Sequence, residues 1–221
     1  MVNPHHVAHW YPTAAYLYIL GLDMLALAWE YLRRHPDYRL DWLRHHRRPQ
    51  TAHKAAQRWG LRLWEDPALD ARDAHPAWLP GHGAVVQLYP DADPPPDANV
   101  FDVWRIPGHK QLIHDGKGLA LIARSPGRWQ RFALAPGLED GMAVARVHRG
   151  RCTTHAPDTP APMARPRPPP AALLELHTLQ ALDATLAGAS LREVGEGLFG
   201  ADAVADWYSD GGLRSKVRRL V

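Results

Sequence analysis

The 221-residue sequence predicts an α+β protein with a helical N-terminal region, a small antiparallel β meander and an all-α C-terminal region. Three observations carry that expectation. Apolar residues recur at helical spacing through the first third of the chain, and short β-like runs separated by sharp turns fill residues 84–147. After a stretch with seven prolines in fifteen residues (156–170), helical spacing returns and lasts to the end. With 46% hydrophobic and 22% charged residues, the composition is that of an ordinary globular protein and excludes wholesale disorder, collagen-like and coiled-coil chains.

The elements follow in order. Leu22, Leu25, Ala26, Trp29 and Leu32 share one face of a helix over 22–34, which Pro36 stops. Asp37 is the expected cap of a second helix through Tyr38, Trp42 and Leu43, ending in the basic run 44–48. A third helical piece, 51–63, would set Lys54, Arg58 and Arg62 along one side. Strands are expected at 84–88, 100–105, 111–114, 119–123, 129–134 and 143–147, turning at Pro107-Gly108, Asp115-Gly116, Pro126-Gly127 and Pro136-Gly137. Their even spacing suggests an antiparallel meander over 81–155, and 156–170 reads as an extended linker.

In the C-terminal region, 171–221, a helix over 171–186 carries Leu176, Leu179, Leu182 and Leu186, and Gly188-Ala189 turns the chain. Ser190 and Glu193 then form a capping box, each satisfying a backbone N–H that the helix start would leave orphaned. Leu191, Val194, Leu198 and Phe199 supply the buried face of that helix, and Gly200 ends it in the left-handed conformation. A short piece, 202–208, buries Val204 and one of Trp207 or Tyr208 before a last helix that starts near Leu213.

Charge is segmented. Residues 33–62 hold nine Lys/Arg against two acids, 63–100 one against seven, 101–151 nine against four, and 171–221 five against seven. The near-cancelling first two zones suggest that the basic run 33–62 pairs internally with the acids of 63–100. The apolar stretch 14–29 is too short for a membrane span of about 20 residues and has Asp23 at its middle, and no Lys or Arg precedes it as in an export signal. A buried helix pair and a cytoplasmic protein are expected. A single cysteine, Cys152, closes no intrachain disulfide and fits a reducing compartment. The fourteen histidines, including His5, His6 and His9, show no ligand spacing, and no nucleophile or phosphate-loop motif is present. No metal, cofactor, catalytic residue or enzymatic activity is expected. The nine tryptophans are read mainly as core; Trp104 or Trp129, flanked by arginines, could alternatively stack on single-stranded nucleic acid.

The last helix carries the functional reading. Leu213, Val217, Leu220 and Val221 form an apolar stripe, while Arg214, Ser215, Lys216, Arg218 and Arg219 occupy the remaining circumference. A short helix with one apolar and one cationic side, following a capped helix and a turn, has the parts of a variant helix-turn-helix. Such a unit lays a helix in the major groove, where arginine holds guanine or phosphate bidentately. Arg192, near the start of the preceding helix, would clamp a flanking phosphate.

The strings Ala187-Gly188-Ala189-Ser190-Leu191-Arg192-Glu193-Val194, Leu198-Phe199-Gly200 and Leu213-Arg214-Ser215-Lys216-Val217-Arg218-Arg219-Leu220 resemble the C-terminal domain of a proteobacterial family of transcriptional activators and antiactivators. That family controls excision and transfer of integrative conjugative elements. Leu27-Ala28-Trp29-Glu30-Tyr31-Leu32-Arg33-Arg34-His35-Pro36-Asp37-Tyr38-Arg39 is similar to the transcriptional-regulator-like domain that precedes it, here over 1–80. The resemblance covers about residues 10–65 and 100–221. It implies operator binding by a variant helix-turn-helix and activation of an excision or transfer gene. Double-stranded DNA would be the partner, RNA polymerase or a related antiactivator further partners, and a homodimer would fit paired half-sites. Gly195 and Gly197 stand where the family usually has alanine, each expected to cost about 1 kcal/mol inside a helix. The chain ends at Val221 where relatives commonly continue, so a frayed last helix or a shortened form is expected. The alternative is a protein-binding antiactivator or adaptor, because 171–212 holds one Arg against seven acids.

Overall fold

The computed structural model describes residues 10, 12–47, 54–81, 84–125, 128–148, 151–153, 168–209 and 211–221. His5, His6, His9, the Pro126-Gly127 turn and nearly all of the proline-rich stretch lie outside them. The chain divides into two units, one of Met1–Leu22 with Ala164–Val221, the other of Asp23–Met163. The division at Leu22/Asp23 falls inside the apolar stretch 14–29, whose two halves thus belong to different units.

In the unit Asp23–Met163, helix α1 (Met24–Leu32) starts two residues later than the spacing suggests because Asp23 caps it, accepting the Ala26 N–H at 2.8 Å. The same carboxylate holds the guanidinium of Arg131, with Nη2 3.1 Å from Oδ1. Glu30, fully buried on α1, accepts from Arg33 Nε (2.7 Å), from Arg34 and from the Ala71 N–H (2.6 Å), tying the helix to the loop beyond residue 65. Helix α2 (Pro36–His45) is capped by His35, whose Nδ1 accepts the Asp37 N–H, with Pro36 in the first turn. Asp37 therefore lies within the helix and is not its cap: proline, lacking an N–H, suits the first helical position. Tyr38 is buried among Trp29, Trp59 and Trp64, and donates its hydroxyl to the Glu65 carbonyl at 2.7 Å. Burial pushes its phenol far above the usual range.

The third helical piece does not reach residue 63. It is helical over 54–57, and Leu61 instead bridges Trp78. Arg62 leaves the expected basic stripe to meet Asp115, 3.2 Å away. Elsewhere in the basic run Arg33 and Arg34 pair with Glu30, and Arg44 and Arg58 with Asp41, while towards 63–100 Arg33 donates to the Pro67 carbonyl and its charge helps hold Asp70 low.

Among the described residues, six strands form one sheet, β1 (Val85–Pro90), β2 (His109–His114), β3 (Leu119–Ser125), β4 (Arg128–Leu134), β5 (Val144–His148) and β6 (Arg151–Thr153), in the order β2-β3-β4-β1-β5-β6. The sheet is mixed, not an antiparallel meander. β1 runs parallel to β4, from Val85 opposite Arg131 to Leu88 opposite Leu134, and the remaining pairs are antiparallel. Strand spacing counts strands without naming neighbours. The expected strand at 100–105 is absent; Val100 makes a single bridge to Ala143 and the chain then turns. Released from the sheet, Phe101, Val103 and Ile106 pack over one face, against Leu88, Leu121, Phe132, Leu134 and Val144. Four successive residues of β3, Ala120–Ala123, are buried, as in a sheet covered on both faces. Of the two tryptophans set beside the sheet, Trp104 is 80% exposed, whereas Trp129 lies under the guanidinium groups of Arg124 and Arg131.

Candidate nucleic-acid interface

The unit that carries the cationic helix is built from α3 (Pro170–Leu186), α4 (Leu191–Phe199), a 3-10 turn at Asp202–Val204 and α5 (Gly211–Arg218), with the N-terminal 3-10 helix Thr13–Gly21 packed on α3. Local chemistry sets each boundary. Pro170 sits in the first turn of α3. Its end is closed by Gly188 at φ +83°, with Gly188 N–H donating to the Thr185 carbonyl and Ala189 N–H to that of Ala184, the Schellman arrangement. Both arms of the Ser190/Glu193 capping box form, and the hydrogen bonds to Ser190 hold the Glu193 carboxyl below its ordinary range. Gly200 ends α4 at positive φ (+90°), but its ψ of 162° is extended, not left-handed helical as expected.

Beneath these helices lie Leu176, Leu179, Ala184, Val194, Val204, Trp207 and Val217. Trp207 is the buried member of its pair and Tyr208 the exposed one. Leu186, expected on the buried stripe, is exposed at the helix end. Residues 10–22 complete the core from the far end of the sequence: Trp10, Tyr16 and Ile19 are buried. Tyr16 donates to Asp183 Oδ2 (2.7 Å), Thr13 Oγ1 to the Gly197 carbonyl (3.4 Å), and Gln180 Nε2 to the Trp10 carbonyl (3.0 Å).

The mid-helix glycines of α4 acquire a reason here. A Cβ at Gly197 would stand 2.6 Å from Cζ3 of Trp10, and one at Gly195 would stand 2.9 Å from Cζ3 of Trp207 and 3.2 Å from Val204 Cγ1. Glycine admits an indole against the helix backbone at both positions, so their propensity cost is offset by packing that alanine would obstruct.

On α5, Val217 is buried and Leu213 and Leu220 are half-buried, while Arg214, Ser215, Lys216, Arg218 and Arg219 are exposed. The helix is thus two-sided as its spacing requires, except that Val221 is exposed and does not extend the apolar stripe. The last turn holds: Arg219 N–H donates to the Lys216 carbonyl and Leu220 N–H to that of Val217. Arg192 is exposed at the start of α4, the helix on which α5 packs. Among the described residues, none of these five cations forms an ion pair. Lys216 alone has a further engagement that sequence reasoning missed. Its Nζ stands 4.4 Å over the Phe199 ring, whose edge meets the ring of His177 at 5.7 Å between centroids. Burial first, and the Lys216 charge second, push the His177 imidazole below its ordinary value. Spacing of 17 to 39 positions hides this trio from any local pattern.

Among the described residues no three His, Cys, Asp or Glu side chains gather where they could hold a metal, and no helix is long and apolar enough to cross a membrane. What the unit offers is a fixed array of exposed positive charge on one helix, suited to a polyanion.

Comparison with known families points the same way. Residues 131–221 match the family model described as a T6SS transcription factor DNA-binding domain, and residues 9–63 that of a proteobacterial transcriptional regulator-like domain. Residues 83–130 match a domain of unknown function, DUF7011. No curated protein matches the chain. The first two matches support a DNA-binding transcription factor and a regulator of proteobacterial type. The DNA-binding match begins in β4, so it reaches well ahead of the helical region 171–221.

Proposed function

We propose that the protein is a cytoplasmic, sequence-specific transcriptional activator, not an enzyme, whose C-terminal helices form a variant helix-turn-helix with α5 as the reading helix. Arg214, Lys216, Arg218 and Arg219 contact DNA, with Ser215 and Arg192 assisting on the backbone. The observation that carries this reading is the placement of Arg214. Cations in the last turn of a helix complement its dipole, which accounts for Lys216 and Arg218 without any ligand. Arg214 lies in the first turn, where the dipole disfavours a cation, and it is exposed with no carboxylate paired to it among the described residues. An external phosphate supplies the missing counter-charge. The targets are excision or transfer genes of a mobile conjugative element, on the resemblance of the helix strings, with paired half-sites bound by a homodimer and RNA polymerase recruited beside it.

The test is a gel-shift salt titration of the full chain on DNA selected by it from a random pool. Reversing Lys216 and Arg219 to glutamate flattens the slope of log K against log salt by about 0.9 for each phosphate no longer neutralised. An unchanged slope refutes the assignment.

A second reading rests on the acids of the segment 171–212 that precedes the charged face of α5. Residues 171–212 hold one Arg against seven acids, including the exposed Glu193, Asp202 and Asp206. This is a surface for a basic partner, and it favours an antiactivator that grips a related regulator. Capture of such a partner that weakens steeply as salt rises towards about 0.5 M, with no DNA shift at any salt, would establish it.

A further inference from the structure

On the sheet face that carries Leu88 and Phe132, a cavity of about 540 Å³ lies between the strands and the loop over 100–107. That volume is in the range of small-molecule sites. Its walls are mostly apolar, from Val86, Phe101, Ile106 and Phe132; Asp102, Arg105 and Arg131 also line it, and Gln130 and Arg146 are the two polar residues on it with a buried atom left unpartnered. Strand register explains why those two are there. Arg146 of β5 stands opposite Leu88 of β1, and Gln130 precedes Phe132 by two on β4, so both project on the same face as the apolar core.

Neither is satisfied. Arg146 Nε and Gln130 Oε1 are buried and have no hydrogen-bond partner among the described residues. Arg131, by contrast, is buried with a carboxylate in place, that of Asp23. The acid on the cavity wall, Asp102, is already occupied: it binds Arg105 at 3.1 Å and accepts the Trp104 N–H at 2.8 Å. Burial also pushes the Arg146 guanidinium below its ordinary value. The residue as a whole is half-buried; a guanidinium with its Nε shut away from water and no counter-charge carries a cost, and a planar carboxylate is the group whose geometry its fork matches.

We propose that this cavity binds a small organic acid, a carboxylate on an apolar, hydroxyl-bearing body of aromatic size. The carboxylate pairs with Arg146, the hydroxyl donates to Gln130 Oε1, and Val86, Phe101, Ile106 and Phe132 enclose the apolar body.

The test uses 6-hydroxy-2-naphthoate as probe on the full chain, with 6-hydroxy-2-naphthamide as its uncharged counterpart, and reads affinity by calorimetry. The acid binds saturably at one site, and the amide at least about tenfold more weakly, the ratio for losing one charge-assisted hydrogen bond in a buried place. Arg146→Gln abolishes that preference. Ile106→Trp, which fills the cavity from the loop and leaves every buried polar group in place, abolishes binding of both probes. Absence of saturable binding overturns the proposal, as does equal affinity for acid and amide, or a preference that survives in Arg146→Gln. If Arg146→Gln does not fold, undiminished binding in Ile106→Trp overturns it alone. Because the readout is binding of the probe itself, a failed DNA titration leaves the result unaffected.

Discussion

Replacing Gly197 by alanine should destabilise the helical unit that carries α5, although alanine is the better helix former by about 1 kcal/mol. The added Cβ would lie 2.6 Å from Trp10 Cζ3, where ordinary contact begins near 3.4 Å, so the indole has to retreat. It has little room: Trp10 is 5% exposed, and its carbonyl is held by Gln180 at 3.0 Å. Overpacking of this kind costs about 1–3 kcal/mol, so after the propensity gain a net loss of about 1 kcal/mol remains. Removing the obstacle reverses the sign. In a Trp10→Ala background, itself destabilised by about 3–5 kcal/mol, Gly197→Ala should stabilise by about 1 kcal/mol. The pair then shows a coupling of about 2 kcal/mol in a double-mutant cycle. Urea unfolding followed by backbone NMR signals of α3 to α5 reads this unit separately from the sheet unit. An effect of the same sign in both backgrounds refutes the account of these glycines.

Three further outcomes follow from the same structure. Glu30→Ala, which takes the carboxylate away from Arg33, the buried Arg34 and the Ala71 N–H, should cost the sheet unit about 3–5 kcal/mol in urea unfolding; a loss under about 1 kcal/mol would show that the buried pairs are idle. His177 has its folded value depressed below the ordinary 6.5, so the unfolded chain takes up the proton first. Stability of the helical unit is therefore full above about pH 6.5 and falls as pH drops below it. His177→Asn should flatten this fall and Lys216→Gln lessen it, measured by unfolding between about pH 7.5 and 5; a decline confined to higher pH contradicts the assignment. Among the DNA-facing positions, Arg214→Gln should weaken binding and reduce the salt slope by about 0.9, and equal slopes for variant and wild type would remove Arg214 from the interface.

Where the sequence was legible, the determining interactions span only a few positions. The Ser190/Glu193 box, the turn at Gly188, the buried Val194 and Val217 and the exposed cations of α5 all depend on groups within about four residues of one another, and spacing reports them directly. Four departures from the sequence pattern share a different cause. Asp37 has the chemistry of a cap, but the proline before it claims the first turn for itself, with His35 behind it. Residues 100–105 have strand composition, but their ladder stops at the single Val100–Ala143 bridge, and their apolar side chains serve as a cover instead. The basic run 33–62 looks balanced by the acids after it, yet the close ion pairs of Arg33, Arg58 and Arg62 are with Glu30, Asp41 and Asp115, according to which carboxylate the packing delivers. Gly195 and Gly197 read as weak points in a helix because their partners, Trp207 and Trp10, are invisible to helix propensity.

By itself, then, the amino-acid order determined which segments coil, where they are capped, and which side of the last helix bears charge, since backbone hydrogen bonding and side-chain periodicity are short-range. Only the tertiary structure decided that β1 and β4 run parallel, that Arg146 stands on the wall of a cavity with its Nε buried, and that residues 10–22 close the core of the C-terminal helices. Those outcomes rest on groups as far as 184 positions apart, such as Thr13 and Gly197, and meetings at that distance are settled by which surfaces exclude water together.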